Sequence, residues 1–179
     1  MAAYAAFLRA INVGGNNLLP MKKLAEIMTA LGYGGVKTLL QSGNVVFWSD
    51  EADEIVLTSV IEAAIDAACG FRPAIMIRSR AEMELVSVSN PLLTAETNPA
   101  RLITVFLREE PSADGIAKID PSSFPDETFV ISGREMYVLY GDGMGNSKFV
   151  PAYYERRMGT VGTARNWNTV TKVLALLQG

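Results

Sequence analysis

The sequence predicts an α+β protein built from two ferredoxin-like halves of βαββα type. Three observations carry this. Strand, helix, hairpin and helix patterns follow one another twice along the chain. Phe7-Leu8-Arg9 recurs as Phe106-Leu107-Arg108 at the end of a strand, and Gln41-Ser42-Gly43-Asn44 has a counterpart in Ile131-Ser132-Gly133-Arg134 between two strands. Between the repeats, residues 91–99 turn to Pro, Thr, Asn and Glu, a composition suited to a linker. The expected organisation is an N-terminal half over 1–90, the linker over 91–99, and a C-terminal half with an extra helix over 100–179. One mixed sheet without duplication is the rival arrangement.

The elements follow in order. Residues 3–10 are almost all apolar and predict a strand buried on both faces. A glycine-containing loop, Asn12 to Asn17, leads to a helix opened by Pro20. Met21, Leu24, Ile27, Met28 and Leu31 fall on one side of that helix, and Gly32 stops it. Residues 36–41 and 45–48 predict a hairpin turning through Ser42-Gly43-Asn44, and residues 51–68 a helix bearing Ile55, Ile61 and Ile65. A strand over 72–78 and a short helix over 80–88 complete the half. In the second half a strand ends at Tyr140, and Gly141 to Lys148 forms a loop. A helix with Pro151 in its first turn carries Tyr153, Tyr154 and Met158. The stretch Gly162 to Lys172 reads as the start of the last helix, with Trp167, Val170, Val173, Leu174 and Leu177 as its core stripe.

Composition narrows the chemistry. The chain has 179 residues, 49% of them hydrophobic and 20% charged, enough to bury a sizeable core. Its net charge of -3 argues against a protein that coats nucleic acid. There is no histidine, which excludes imidazole acid-base catalysis and His-activated nucleophiles and deprives zinc of its usual nitrogen ligands. No cofactor motif and no metal site emerges. Cys69 is the single cysteine, so no internal disulfide forms. The N-terminus lacks the basic start and long apolar stretch of a signal peptide, and no apolar run approaches the roughly 20 residues of a membrane span. A cytoplasmic protein is the expectation.

Three polar or glycine-rich segments each lead into a predicted helix: Asn12 to Asn17, Gly141 to Lys148, and Thr163 to Thr169. Convergent backbone N–H groups and the helix dipole favour an anion there, and Arg9, Lys148 and Arg165 supply full charge. The plainer account is that the glycines serve turns and the Asn and Thr residues are caps. Gly141 to Lys148 fails the phosphate-binding P-loop pattern, since Asn146 stands at the second glycine and Ser147 precedes Lys148. Phe47, Trp48, Tyr137 and Tyr140 on predicted hairpin strands raise a nucleic-acid reading, although those hairpins are poor in Lys and Arg.

Four blocks, Leu8 to Gly15, Gln41 to Phe47, Ser147-Lys148 and Thr163 to Val170, resemble bacterial proteins grouped as domain of unknown function 1697. The resemblance implies repeated ferredoxin-like units and brings no established activity. Its polar signature falls on Arg9, Asn12, Gly14, Gly15, Ser42, Gly43, Asn44, Ser147, Lys148, Thr163, Arg165, Asn166 and Asn168. The chain departs from that signature at Asn16 and Asn146, where relatives often carry a basic residue, and at Ala10, where a glycine is frequent. The resulting expectation is a small phosphorylated or carboxylated ligand held between the halves by Arg9, Asn12, Gly14, Gly15, Asn44, Ser147, Lys148, Thr163, Arg165, Asn166 and Asn168. A His-independent acyl or phosphoryl transferase would use the same groups, with Ser147 or Asp142 as nucleophile or base. In a third reading, residues 165–168 only lock the last helix in place.

Overall fold

A computed structural model describes residues 1–179. Two compact units divide the chain, Met1–Leu85 with Lys172–Gly179 and Val86–Thr171. In the first, β1 (Ala2–Leu8), α1 (Met21–Ala30), β2 (Gly34–Leu39), β3 (Asn44–Ser49), α2 (Glu54–Cys69) and β4 (Ile75–Ser79) form an antiparallel sheet in the order β2-β3-β1-β4. α3 (Arg80–Ser89) crosses into the second unit. There β5 (Leu102–Leu107), α4 (Ala113–Ala117), β6 (Glu127–Ser132), β7 (Glu135–Tyr140), α5 (Pro151–Met158) and β8 (Gly162–Asn166) repeat the order as β6-β7-β5-β8. α6 (Trp167–Gln178) closes the chain. Each half is therefore βαββαβ, an α+β unit with the strand order expected of a ferredoxin-like fold.

The two units match residue by residue. Leu8 N–H donates to the Gly43 carbonyl at 2.8 Å, and Leu107 N–H to that of Arg134 at 2.8 Å. Arg9 N–H donates to Ala74 and Arg108 N–H to Val161, both at 2.9 Å. The repeated Phe-Leu-Arg thus occupies one structural position twice. The Ser-Gly turns do not: Leu39 pairs with Asn44 across Leu40 to Gly43, whereas Ser132 pairs with Glu135 across Gly133 and Arg134 alone.

Residues 162–166 correct the expectation that a helix begins at Gly162. They form an outer strand, paired to β5 from Ile103↔Asn166 to Leu107↔Gly162. Ala164 packs on the second core while Thr163 and Arg165 point to the other face, the period of two that marks a strand. Gly162 is required by this pairing, because a Cβ there would sit 2.8 Å from Val105 Cγ1 and 3.0 Å from the Phe106 carbonyl oxygen. The helix cap lies four residues later, where Asn166 Oδ1 accepts from Thr169 N–H at 3.0 Å.

Each unit has its own core. Tyr4, Ala6, Leu8, Val45, Phe47, Ile75 and Ile77 meet Leu24, Ile27 and Met28 of α1 and Leu57, Ile61 and Ile65 of α2. In the second, Val105, Leu107, Met136 and Val138 face an aromatic cluster about Phe149. Its ring lies 4.8 Å from that of Phe129 and 5.2 Å from that of Tyr154. No helix is long and apolar enough to cross a membrane.

Candidate functional site

Beyond β1, residues 9–20 do not simply connect strand to helix. Asn12 N–H donates to the Asn17 carbonyl at 3.1 Å and Asn16 N–H to Val13 at 3.0 Å, making a small exposed hairpin with Gly14 and Gly15 at its tip. Both glycines have positive φ, 58° and 78°, as a type I′ turn requires. Their own N–H groups take no part in the two hairpin bonds. Asn12 fixes this finger to the rest of the unit: Nδ2 donates to the Leu19 carbonyl at 2.9 Å and the Gln41 carbonyl at 2.8 Å, and Oδ1 accepts from Leu19 N–H at 2.8 Å. Asn17 Nδ2 donates back to Ala10. Asn44 is fully buried and donates to the Leu39 carbonyl and to Ser42 Oγ, so it ties the hairpin turn rather than facing outward.

Backbone strain concentrates here. The four non-glycine residues with positive φ are Ala10, Asn12, Asn17 and Leu40, all in the two connections at this end of the first unit. Outside glycine such conformations cost on the order of 1 kcal/mol each, and they persist where surrounding structure enforces them. The second unit manages with far less, since β5 reaches α4 through residues 108–112. The fold itself therefore does not require the finger.

The other candidates lie in the second unit. Ser147 Oγ donates to a Glu127 carboxylate oxygen and accepts from Phe149 N–H at 2.9 Å, which pins the end of the β7–α5 loop to β6. Lys148 is exposed. Arg165 is buried, its guanidinium donating to Thr163 Oγ1 at 2.7 Å and the Ala164 carbonyl at 2.8 Å. Burial pulls its pKa down to about 10. Asn166 caps α6 and Asn168 is exposed in its first turn.

Topology groups these residues within each unit. Arg9, Asn12, Gly14, Gly15 and Asn44 share the end where β1 finishes. Ser147, Lys148, Asn166 and Asn168 share the end where β5 begins, where Trp167 N–H donates to Pro99 and Tyr140 N–H to Arg101. Thr163 sits nearer the opposite end of β8, opposite Phe106, and its hydroxyl accepts from Arg165.

Residues 1–137 match the family model described as protein of unknown function, DUF1697. The chain belongs to the DUF1697 family. No curated protein matches it. Among solved structures it is similar to a conserved bacterial protein from Streptococcus pneumoniae, at 23% identity and a TM-score of 0.75 over 98% of both chains. That likeness establishes the shared fold. The DUF1697 match contains the whole finger and the Gln41 to Asn44 turn, and ends before Ser147.

This DUF1697 chain also holds groups that motif reading passed over. Arg78 on β4 is opposite Ala5, just as Arg165 on β8 is opposite Thr104, so the duplicated fold buries an arginine at one position in each unit. Each is followed by a helix cap. Ser79 Oγ accepts from Glu82 N–H at 3.3 Å while the Glu82 carboxylate accepts from Ser79 N–H at 2.8 Å, a capping box. Ser79-x-x-Glu82 was a legible signal for it; nothing in sequence marks Arg78 as buried. Thr104 is fully buried and its hydroxyl has no hydrogen-bond partner. Of the hairpin aromatics, Phe47, Tyr137 and Tyr140 are buried, and only Trp48 is exposed, its indole lying over Gly35. They offer no row of faces on which bases could stack.

Proposed function

We propose that the chain binds a small anionic molecule, phosphorylated or carboxylated, at the finger of the first unit, with Gly14 and Gly15 as backbone donors and Arg9 as the charge. The observation that supports this is the concentration of left-handed backbone around an exposed Gly-Gly turn, in a connection that the duplicate unit does without. A turn of this kind presents successive N–H groups to one side, where they complement an oxyanion. An arginine at its base adds a two-pronged charged donor. Asn12 holds the turn in place before the ligand arrives, which limits the ordering cost of binding. Lys148, Thr163, Arg165, Asn166 and Asn168 belong to the second unit and are proposed as a separate set of donors there.

The test is a thermal-shift panel of inorganic phosphate, a sugar phosphate, a nucleoside monophosphate and citrate, followed by calorimetry of whichever stabilises the protein. A ligand at about 100 times its Kd adds roughly 2.7 kcal/mol of stability. Arg9→Ala is expected to weaken binding about tenfold to a hundredfold, the worth of one charged hydrogen-bond partner. Arg165→Ala tests the second set in the same assay. Wild-type affinity in Arg9→Ala, or no stabilisation by any anion, refutes the proposal.

A further inference from the structure

α2 is apolar on both sides. Leu57, Ile61 and Ile65 fill the first core, while Val56, Val60, Ala63 and Ala67 are exposed on the outside. These four are separated by four, three and four residues, the spacing that draws a straight seam along a helix. Ile55, beside the seam, is 80% exposed. Between Ile55 and Ala68 the only exposed polar residues are Ser59 and Asp66. Thr58, Glu62 and Asp66 make a polar flank between the two apolar sides, and an apolar stripe on the outer side of a helix is the feature that marks a contact surface.

We infer that this seam is a contact between two copies of the chain, with α2 packed antiparallel on its two-fold mate. The seam is self-complementary only in that direction. Reversal about a two-fold between Val60 and Ala63 sets Val56 against Ala67 and Val60 against Ala63 of the second copy, so each branched side chain meets a methyl and the axes can close to about 8 Å. A parallel pairing would stack Val on Val, leave gaps between Ala and Ala, and bring the two Asp66 carboxylates level. Antiparallel pairing separates those carboxylates along the axis and opposes the helix dipoles. The 16 residues of α2 span about 24 Å, so one such pair buries less than the roughly 1,200 Å² of a standard stable interface. The dimer is therefore a weak, reversible one.

Sedimentation equilibrium from about 10 µM to about 1 mM, concentrations at which a weak contact fills, tests it. The wild-type weight-average mass rises from the 19.4 kDa monomer toward twice that value. Val60→Glu, at a position already exposed, leaves the unfolding midpoint unchanged and raises the dissociation constant at least about tenfold, because the seam then buries two carboxylates. In a Cys69→Ser background, a mixture of Val60→Cys and Ala63→Cys chains cross-links under a mild copper oxidant, and neither chain alone does so to the same extent. A wild-type mass that stays at the monomer value, or self-association indifferent to Val60→Glu, overturns the inference.

Discussion

Replacing Asn12 tests whether the finger is held by that one side chain. Asn12→Ala removes three hydrogen bonds, to Leu19 twice and to Gln41 once. Each has a net worth of about 1 kcal/mol, less where water can substitute, and Asn12 is half-exposed, so their sum is roughly 1.5–2.5 kcal/mol. Its φ of 54° adds to this, because alanine resists the left-handed region by about 1 kcal/mol more than asparagine. The expected loss is about 3 kcal/mol. Asn12→Gly loses the same bonds but accepts the backbone, and is expected to fall about 1 kcal/mol short of the alanine variant. Urea unfolding followed by Trp48 fluorescence, in a Trp167→Phe background that leaves Trp48 as the sole tryptophan, reads the first unit directly. With a urea slope of about 1–3 kcal/mol per molar, the alanine variant's midpoint falls by about 1 M or more. A loss under about 0.5 kcal/mol would refute the strut, since the finger would then detach without cost to its unit. Equal losses in the two variants would refute the backbone contribution.

Two further outcomes are expected. Gly43→Ala places a Cβ 2.5 Å from Ile11 Cδ1 and 2.9 Å from Leu8 Cβ at a φ of 81°, and should destabilise by about 3 kcal/mol or more. Gly15→Ala at φ 78° meets nothing within 4 Å and should cost only about 1 kcal/mol, so parallel urea titrations giving equal losses would contradict the packing argument. Tyr140 donates to the Phe149 carbonyl at 2.8 Å, and burial, with Glu127 nearby, raises its pKa above the ordinary value of 10.0. A phenol that stays protonated in the folded state but ionises at 10 when unfolded contributes stability below pH 10 that drains away as pH rises toward the folded pKa. The second unit should lose up to about 1.4 kcal/mol per pH unit from this group, and Tyr140→Phe should flatten that slope. An unchanged alkaline slope in Tyr140→Phe would count against it.

How far sequence reached depended on how local the determining physics is. The apolar stripe of α1 and the Pro151 start of α5 were legible because both are set by residues within one helix. Phe-Leu-Arg reported true equivalence because its Leu and Arg N–H groups, at the end of a central strand, bond alike in both units. The Ser-Gly match arose from turn chemistry common to hairpins of different length. β8 was missed because Thr163 and Arg165, polar residues at alternate positions, resemble the cap of a helix until a neighbouring strand supplies the ladder. Nor could spacing reveal the work of Asn12, whose partner carbonyl on Gln41 is 29 residues away.

Duplication supplies an internal control for separating fold from function. What both units share, namely the strand order, the Phe-Leu-Arg bonds, a buried arginine on the last strand and a capped helix after it, belongs to the duplicated architecture. The finger between β1 and α1 is present in one unit only, with its strained asparagines and an exposed Gly-Gly tip. Backbone strain without a structural requirement is retained where a conformation is used. On that reasoning Arg9 and its counterpart Arg108 form the sharpest comparison: both end the same strand and bond alike through the backbone, but only Arg9 stands at the base of a finger. Loss of anion binding in Arg9→Ala with retention in Arg108→Ala would attribute binding to the added loop, whereas equal effects would return it to the shared fold.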